Sequence, residues 1–523
     1  MLTFWRIVIV AVIGFGSLSC NESTQESGEE AIAVYPGKAD DYLSPTSREY
    51  LLWGMGDFVL DEEWAEKTLE EKEAHVEAML GYKFKAYSHY INEYITDKSS
   101  HDSNQGYGGF AGLIKSSSLE WIYEPLDDDA MTWTFIWEME MGGPRDLMDR
   151  MPIEMDDNGQ TYFLVKMPKL TNSALTSSSY PQGFNPESHE GELDEIQVMV
   201  DAEDESYDAF PNYNAMFDDG LFDVFILVGG DYNEKRWDLI AAEQIFDWLK
   251  LAGYSHSATK LTDLTLESAP FRKTITANGK EVKVEVTLMW PDIVPDEDLD
   301  SVKQRVVTAY ETMDLVVYDG HAGQDPDYSG VVYHYNPRRA ISANDLAELN
   351  LPEKYQLYLM NGCKTYNAYP DAVYQNEQKT TANLDIISTV NFSWLSMQPF
   401  TTSGFLNELL ARAGSTHDPR TYVEILTQIN QDNNYNVYYG VHGLDDNAHI
   451  NPYADLSTLC ESCTTDNDCP GQGNLCVRFE WGKACAAECT ADDGCPAGYG
   501  CHDIAVGGFI TGRQCLADGY VCQ

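Results

Sequence analysis

The chain has 523 residues, 43% of them hydrophobic, with 11 Trp, enough for two to four domains with substantial cores. It carries 85 Asp and Glu against 33 Lys and Arg, a net charge of −52. That balance excludes a nucleic-acid binder, which needs a basic footprint. It fits an acidic surface kept for solubility, or attraction of cationic substrates.

Residues 1–19 place Arg6 ahead of an apolar run from Ile7 to Phe15, too short to span a membrane, and read as a signal peptide. The run ends Ser17-Leu-Ser-Cys20, which resembles a bacterial lipoprotein box with Ser17 in the usual Leu position. Cys20 is then the lipidation site, and the protein goes to the cell envelope, held to a membrane by its lipid. Cleavage without lipidation would instead give a secreted protein. Residues 20–43 are polar and acidic and read as a tether.

Residues 44–216 read as an α+β accessory domain, with an inhibitory prodomain as one role for it. Residues 44–98 read as helical, with Val76, Leu80, Phe84, Tyr87, Ile91 and Tyr94 on one apolar stripe, and Thr68 with Glu71 fits a capping box. Residues 101–112 form a Gly-rich stretch without phosphate-loop spacing. Strands are expected at 131–141, at 160–167 after an Asn158-Gly159 turn, and at 195–200.

Residues 217–455 alternate strand and helix patterns. Strands are expected at 221–228, 282–290 and 385–392, and helices at 237–251, 299–312, 403–413 and 422–429. Such alternation implies βαβ units and a mainly parallel sheet flanked by helices. Two further apolar runs are central. One, from Asp314, ends in Tyr318-Asp-Gly-His321-Ala-Gly, and the other, from Gln356, ends in Asn361-Gly-Cys363-Lys-Thr. Buried parallel strands share one rim at their carboxyl ends, where open α/β folds place their sites. A thiol and an imidazole meeting there could do nucleophilic chemistry, the imidazole acting as general base and then general acid. Each alone also has a structural reading, a buried small Cys and a turn His.

An apolar strand ending in His-Gly followed by one ending in Cys resembles the caspase-like cysteine peptidases, and most nearly their gingipain-type branch. The similarity covers roughly residues 221–440. It implies a cysteine-type endopeptidase with Cys363 as nucleophile, His321 as base and acid, and a thioester intermediate. The oxyanion donors would be backbone N–H groups of Cys363 and of Ala322 or Gly323. Where the family has Gly directly after the histidine, this chain has Ala322. Relatives that cut after Arg or Lys line the pocket with a carboxylate. Asp319, Asp325, Asp327 and Asp371 are the candidates here, with Asp319 also able to orient His321 and each also readable as a turn residue. No cofactor is required. A Ca²⁺ at the acidic stretch 201–208 is one reading, since the family often carries such ions, although no EF-hand pattern is present. Protein or peptide substrates, basic ones included, would be the partners. Two rival functions keep the same sequence features: an inactive surface binding or adhesion lipoprotein, and another thiol acyl-transfer enzyme.

Residues 456–523 hold ten of the 12 cysteines. Cys463 and Cys469 with Cys476 and Cys485 form one repeat, Cys489 and Cys495 with Cys501 and Cys515 a second, and Cys460 and Cys522 bracket both. A segment this short cannot bury enough core alone, so five disulfides are expected, in an oxidising compartment. Zinc at Cys460-Glu-Ser-Cys463 is the competing reading. With Cys20 lipidated, Cys363 is left as the unpaired thiol.

Overall fold

The structure is a computed structural model that describes residues 42–95, 113–170, 180, 183–323, 325–431, 437–506 and 509–522. The expected signal segment, Cys20 and nearly all of the tether lie outside these residues, as does the Gly-rich stretch 101–112.

Among the described residues, eighteen strands build the body. Strands β1 (Tyr42–Leu43), β2 (Ser47–Val59), β3 (Leu113–Pro125), β4 (Thr132–Pro144), β5 (Glu154–Met155), β6 (Thr161–Pro168) and β7 (Leu193–Ala202) come first. Strands β8 (Leu221–Val228), β9 (Phe271–Ala277), β10 (Lys280–Met289), β11 (Leu315–Asp319), β12 (Gly330–Tyr335), β13 (Arg338–Ser342), β14 (Gln356–Asn361) and β15 (Leu384–Thr389) follow. Strands β16 (Arg412–Ala413), β17 (Thr416–His417) and β18 (Tyr439–His442) complete the set.

The largest sheet runs β1-β18-β15-β14-β11-β8-β10-β9-β17-β16. Its five central strands, β15, β14, β11, β8 and β10, are parallel, while β18, β1 and β9 join antiparallel, so the sheet is mixed. Strands β11 and β14 are mostly apolar and every residue in them is buried, as in parallel strands covered on both faces. Helices Trp237–Leu251, Gln398–Leu409 and Tyr422–Gln431 cover one face, and helix Leu299–Thr312 covers the other. The helix expected at 403–413 starts earlier, at Gln398, with Pro399 in its first turn, where the missing N–H costs nothing.

The N-terminal sheet runs β3-β4-β2-β7-β6-β5 and is antiparallel. Helix Leu69–Ile95 lays the apolar stripe from Val76 to Ile91 on it, and Thr68 and Glu71 form the reciprocal cap. Residues 47–59, expected within a helical segment, are a strand. The reason is local: Gly54 and Gly56 leave room for the Trp137 and Phe135 rings of β4, and a Cβ on either glycine would lie 2.9 Å from the ring.

The C-terminal region is a four-stranded sheet, β19 (Leu475–Phe479), β20 (Gly482–Glu488), β22 (Phe509–Ala517) and β21 (Tyr499–Val506) in that order. Its ten cysteines pair as 463–476, 469–485, 489–501, 495–515 and 460–522. Each repeat joins its first cysteine to its third and its second to its fourth. The two sulfur clusters that could by position hold a metal consist of these bonded cysteines. Five disulfides mark a chain that matures outside the reducing cytoplasm. Among the described residues, no helix is long and apolar enough to cross a membrane.

Candidate active site at the carboxyl rim of the central sheet

The order β10-β8-β11-β14-β15 steps out from β8 to β10, then returns to the other side of β8 for β11. The reversal between β8 and β11 falls at the carboxyl rim, the usual ligand position in open α/β sheets. Three side chains stand there on three adjacent strands. Asp319 of β11 is in register with Asn361 of β14 and Val228 of β8. His321 and Cys363 therefore sit at equivalent positions, two residues past their strand ends, and Asp231 sits three past its own.

The two turns touch. The Gly320 N–H donates to the Asn361 carbonyl at 3.2 Å. A Cβ on Gly362 would lie 2.6 Å from the Ala322 Cβ, so only glycine fits there. Cys363 is partly exposed and is the one free cysteine among the described residues. Its S–H points to the Ser393 carbonyl oxygen at 3.3 Å, and burial pushes the thiol above its ordinary range. The resting sulfur is therefore a thiol. Lys364, next in the chain, adopts the left-handed backbone (φ +57°), an uncommon conformation for a residue with a Cβ. That kink turns the chain sharply from β14 into the short helix Thr365–Ala368.

His321 is held from three sides. Its Nε2 lies 2.9 Å from Asp231 Oδ1, so the N–H must be on Nε2, and Nδ1 is left to accept a proton. The Tyr232 ring stacks on the imidazole at 4.5 Å, and the Tyr335 ring meets it edge-on at 5.6 Å. Tyr318 Oη donates to the His321 carbonyl at 2.7 Å. Asp231 is itself fixed: its Oδ2 accepts the Trp237 N–H at 3.0 Å, at the start of helix Trp237–Leu251, and its Oδ1 accepts from Asn233. Burial works against the charge. The bonds from His321, Asn233 and Trp237 outweigh it and hold the carboxyl below the ordinary aspartate range.

The amides of Cys363 and Ala322 donate to no group among the described residues, whereas the Gly323 N–H is taken by Ser329 Oγ at 2.8 Å. Two N–H groups on the two touching turns are thus unclaimed among the described residues, as donors to an oxyanion would need to be.

The carboxylates named from sequence lie elsewhere. Asp319 is fully buried below the rim, bonded to Thr402 and Asn361 rather than to His321, and burial raises it to about 7. Asp371 pairs with Lys115 at 2.9 Å. Asp325 and Asp327 are exposed: one accepts the Asp327 N–H, the other the Asn344 amide. In the acidic stretch, Asp201 is bonded by Trp53 and Gln160, Glu205 by Arg145, and Asp208 by the Val423 N–H.

Sequence reasoning missed Asp231, although its signal was present. It follows the apolar β8 and Gly229-Gly230, the same strand-then-glycine pattern that marks His321 and Cys363. It also missed Asn361, whose amide joins the rim from below. Its Nδ2 donates to Asp319, and its Oδ1 accepts from Ser393 Oγ and Tyr439 Oη, each at 2.9 Å. The chain matches no protein-family model, no curated protein and no solved structure.

Proposed function

We propose that the chain is a cysteine endopeptidase of the caspase-like type, exported and anchored by a lipid on Cys20. The observation that carries this reading is the in-register pairing of β11 with β14, which puts His321 and Cys363 on one rim beside Asp231. His321 Nδ1 takes the thiol proton, and the sulfur attacks the peptide carbonyl carbon. The Cys363 and Ala322 amides receive the oxyanion, and His321 returns the proton to the leaving amine. Water then hydrolyses the thioester with His321 as base. Peptides carrying positive charge suit a protein with a net charge of −52.

A second reading, a binding lipoprotein that keeps the fold without the chemistry, is favoured by the protonated thiol and by Ala322 in the place of the family's Gly. One experiment separates the two. The purified protein is treated with iodoacetamide and the adduct located by mass spectrometry, and casein and basic peptides are assayed with wild type and Cys363→Ala. Labelling at Cys363 and cleavage lost in the variant are expected. A wild type that neither labels nor cleaves would overturn the peptidase reading in favour of binding.

A further inference from the structure

The turn that carries Cys363 runs on into two single-turn helices, Thr365–Ala368 and Pro370–Val373. Each is gripped by a side chain from the N-terminal sheet. Tyr366 Oη donates to Glu49 Oε1 of β2 at 2.6 Å, with both residues buried. Asp371 pairs with Lys115 of β3 at 2.9 Å. Lys115 is only 2% exposed, pairs also with Glu140 of β4 at 3.0 Å, and lies 5.5 Å over the Tyr366 ring.

The other flank of the same turn is also covered. Lys364 donates its N–H to the Asn391 carbonyl at 2.9 Å, and the preceding Val390 packs against Gly142 of β4. A Cβ on Gly142 would come within 3.0 Å of Val390 and 3.2 Å of Tyr366. Before the N-terminal sheet begins, β1 has already joined the central sheet. Tyr42 pairs with His442 of β18, and its ring meets Tyr366 at 5.6 Å. Ser44 Oγ donates to the Tyr439 carbonyl at 2.7 Å.

Removing the N-terminal sheet would strip a buried lysine and a buried carboxylate from the back of this turn. It would also leave the Tyr366 hydroxyl without its Glu49 acceptor and open the buried Tyr366 and Val390 side chains to water.

We infer that Glu49 and Lys115 are positioning residues for the nucleophile, acting through Tyr366 and Asp371, and that the N-terminal sheet is a permanent part of the working enzyme rather than a removable inhibitory segment. This rests on the peptidase reading above for its kinetics but not for its chemistry at sulfur.

The test uses the full chain with Glu49→Leu, Glu49→Gln and Lys115→Met. The rate of Cys363 alkylation by iodoacetamide is followed across pH, and kcat and KM are measured on a cleaved peptide. Glu49→Leu should lower kcat roughly tenfold to a hundredfold, the scale of a small misplacement of a reacting group, with KM little changed. It should also shift the alkylation profile. Glu49→Gln, which keeps an acceptor for Tyr366, should restore both, and Lys115→Met should resemble Glu49→Leu. Folded Glu49→Leu protein with unaltered kcat and alkylation would overturn the inference. A second measurement stands if the variants fail to fold. A specific protease site is placed in wild-type residues 203–207 and cut. The two pieces should co-elute and keep the alkylation rate of the intact chain. Separation of the pieces with a rise in activity would overturn the inference. Altered alkylation in a chain that cleaves no peptide would sink the peptidase reading alone.

Discussion

In the central sheet, β14 reads Gln-Leu-Tyr-Leu-Met-Asn and each of its six residues is buried; in the C-terminal sheet, β19 reads Leu-Cys-Val-Arg-Phe and none is. The first region is held by apolar area removed from water on both faces. The second buries mainly alanines and its own half-cystines and is held by five covalent links across loops of 12 to 62 residues. The difference teaches how one chain keeps a thiol and ten half-cystines apart. The module's cysteines find partners within their own repeat, or at its brackets. Cys363 sits on a rim built without sulfur, its S–H turned to the Ser393 carbonyl.

Reduction should break the contrast most visibly. Each of the four short loops contributes about 3 kcal/mol through its disulfide, so a reductant should unfold the module while leaving the body intact. Hydrogen exchange checks this: amides of β20 and β22 should lose protection, and those of β8, β11 and β14 should keep it. Loss in both regions at once would mean that the two stabilities are not separate.

The next effect is on chemistry. Asp231→Asn keeps the shape but replaces the carboxylate that orders His321, and kcat should fall by roughly 10² to 10⁴, the span of general acid–base contributions. An unchanged pH–rate profile in that variant would remove Asp231 from the mechanism. Smaller again is Leu359→Ala at the centre of β14, which should cost about 3 kcal/mol through lost burial and the cavity left behind. Denaturant melts of the oxidised protein read it, and a loss under 1 kcal/mol would show that the sheet can collapse around the gap.

The smallest effect is on acid stability. His442 is fully buried, stands between the Tyr42 and Tyr366 rings near Lys115, and neither ring nitrogen has a hydrogen-bond partner among the described residues. Burial, with the Lys115 charge adding to it, holds it well below the ordinary histidine range. The unfolded chain then takes up a proton that the fold refuses, so stability falls as pH drops below about 6.5, by up to about 1.4 kcal/mol per pH unit. His442→Phe should shrink the fall in melting temperature between pH 7.5 and 5. An identical fall in both proteins would place the acid sensitivity elsewhere.

Much of this site is legible without coordinates because buried parallel strands announce themselves. An unbroken apolar run followed by glycine fixes both a strand and its rim, which is why residues 315–319 and 356–361 stand out. The same rule applied to β8 would have found Asp231. What cannot be read is side-chain direction: Asp319 looks like a rim residue by position, yet it points down to Thr402 because a strand alternates faces. Nor is β2 easily legible, since its two glycines weaken the strand pattern and make sense only against the Trp137 and Phe135 rings of a strand some eighty positions away. The repeated cysteine spacing reveals the two halves of the module, but the first-to-third and second-to-fourth pairing needs the sheet that brings the sulfurs together.

The bond between Cys460 and Cys522 spans the module from entry to end. Any single backbone break between them leaves both fragments covalently joined. In an environment shared with proteolytic enzymes, the module can be nicked without being shed, and only a second cut or a reductant would free a piece.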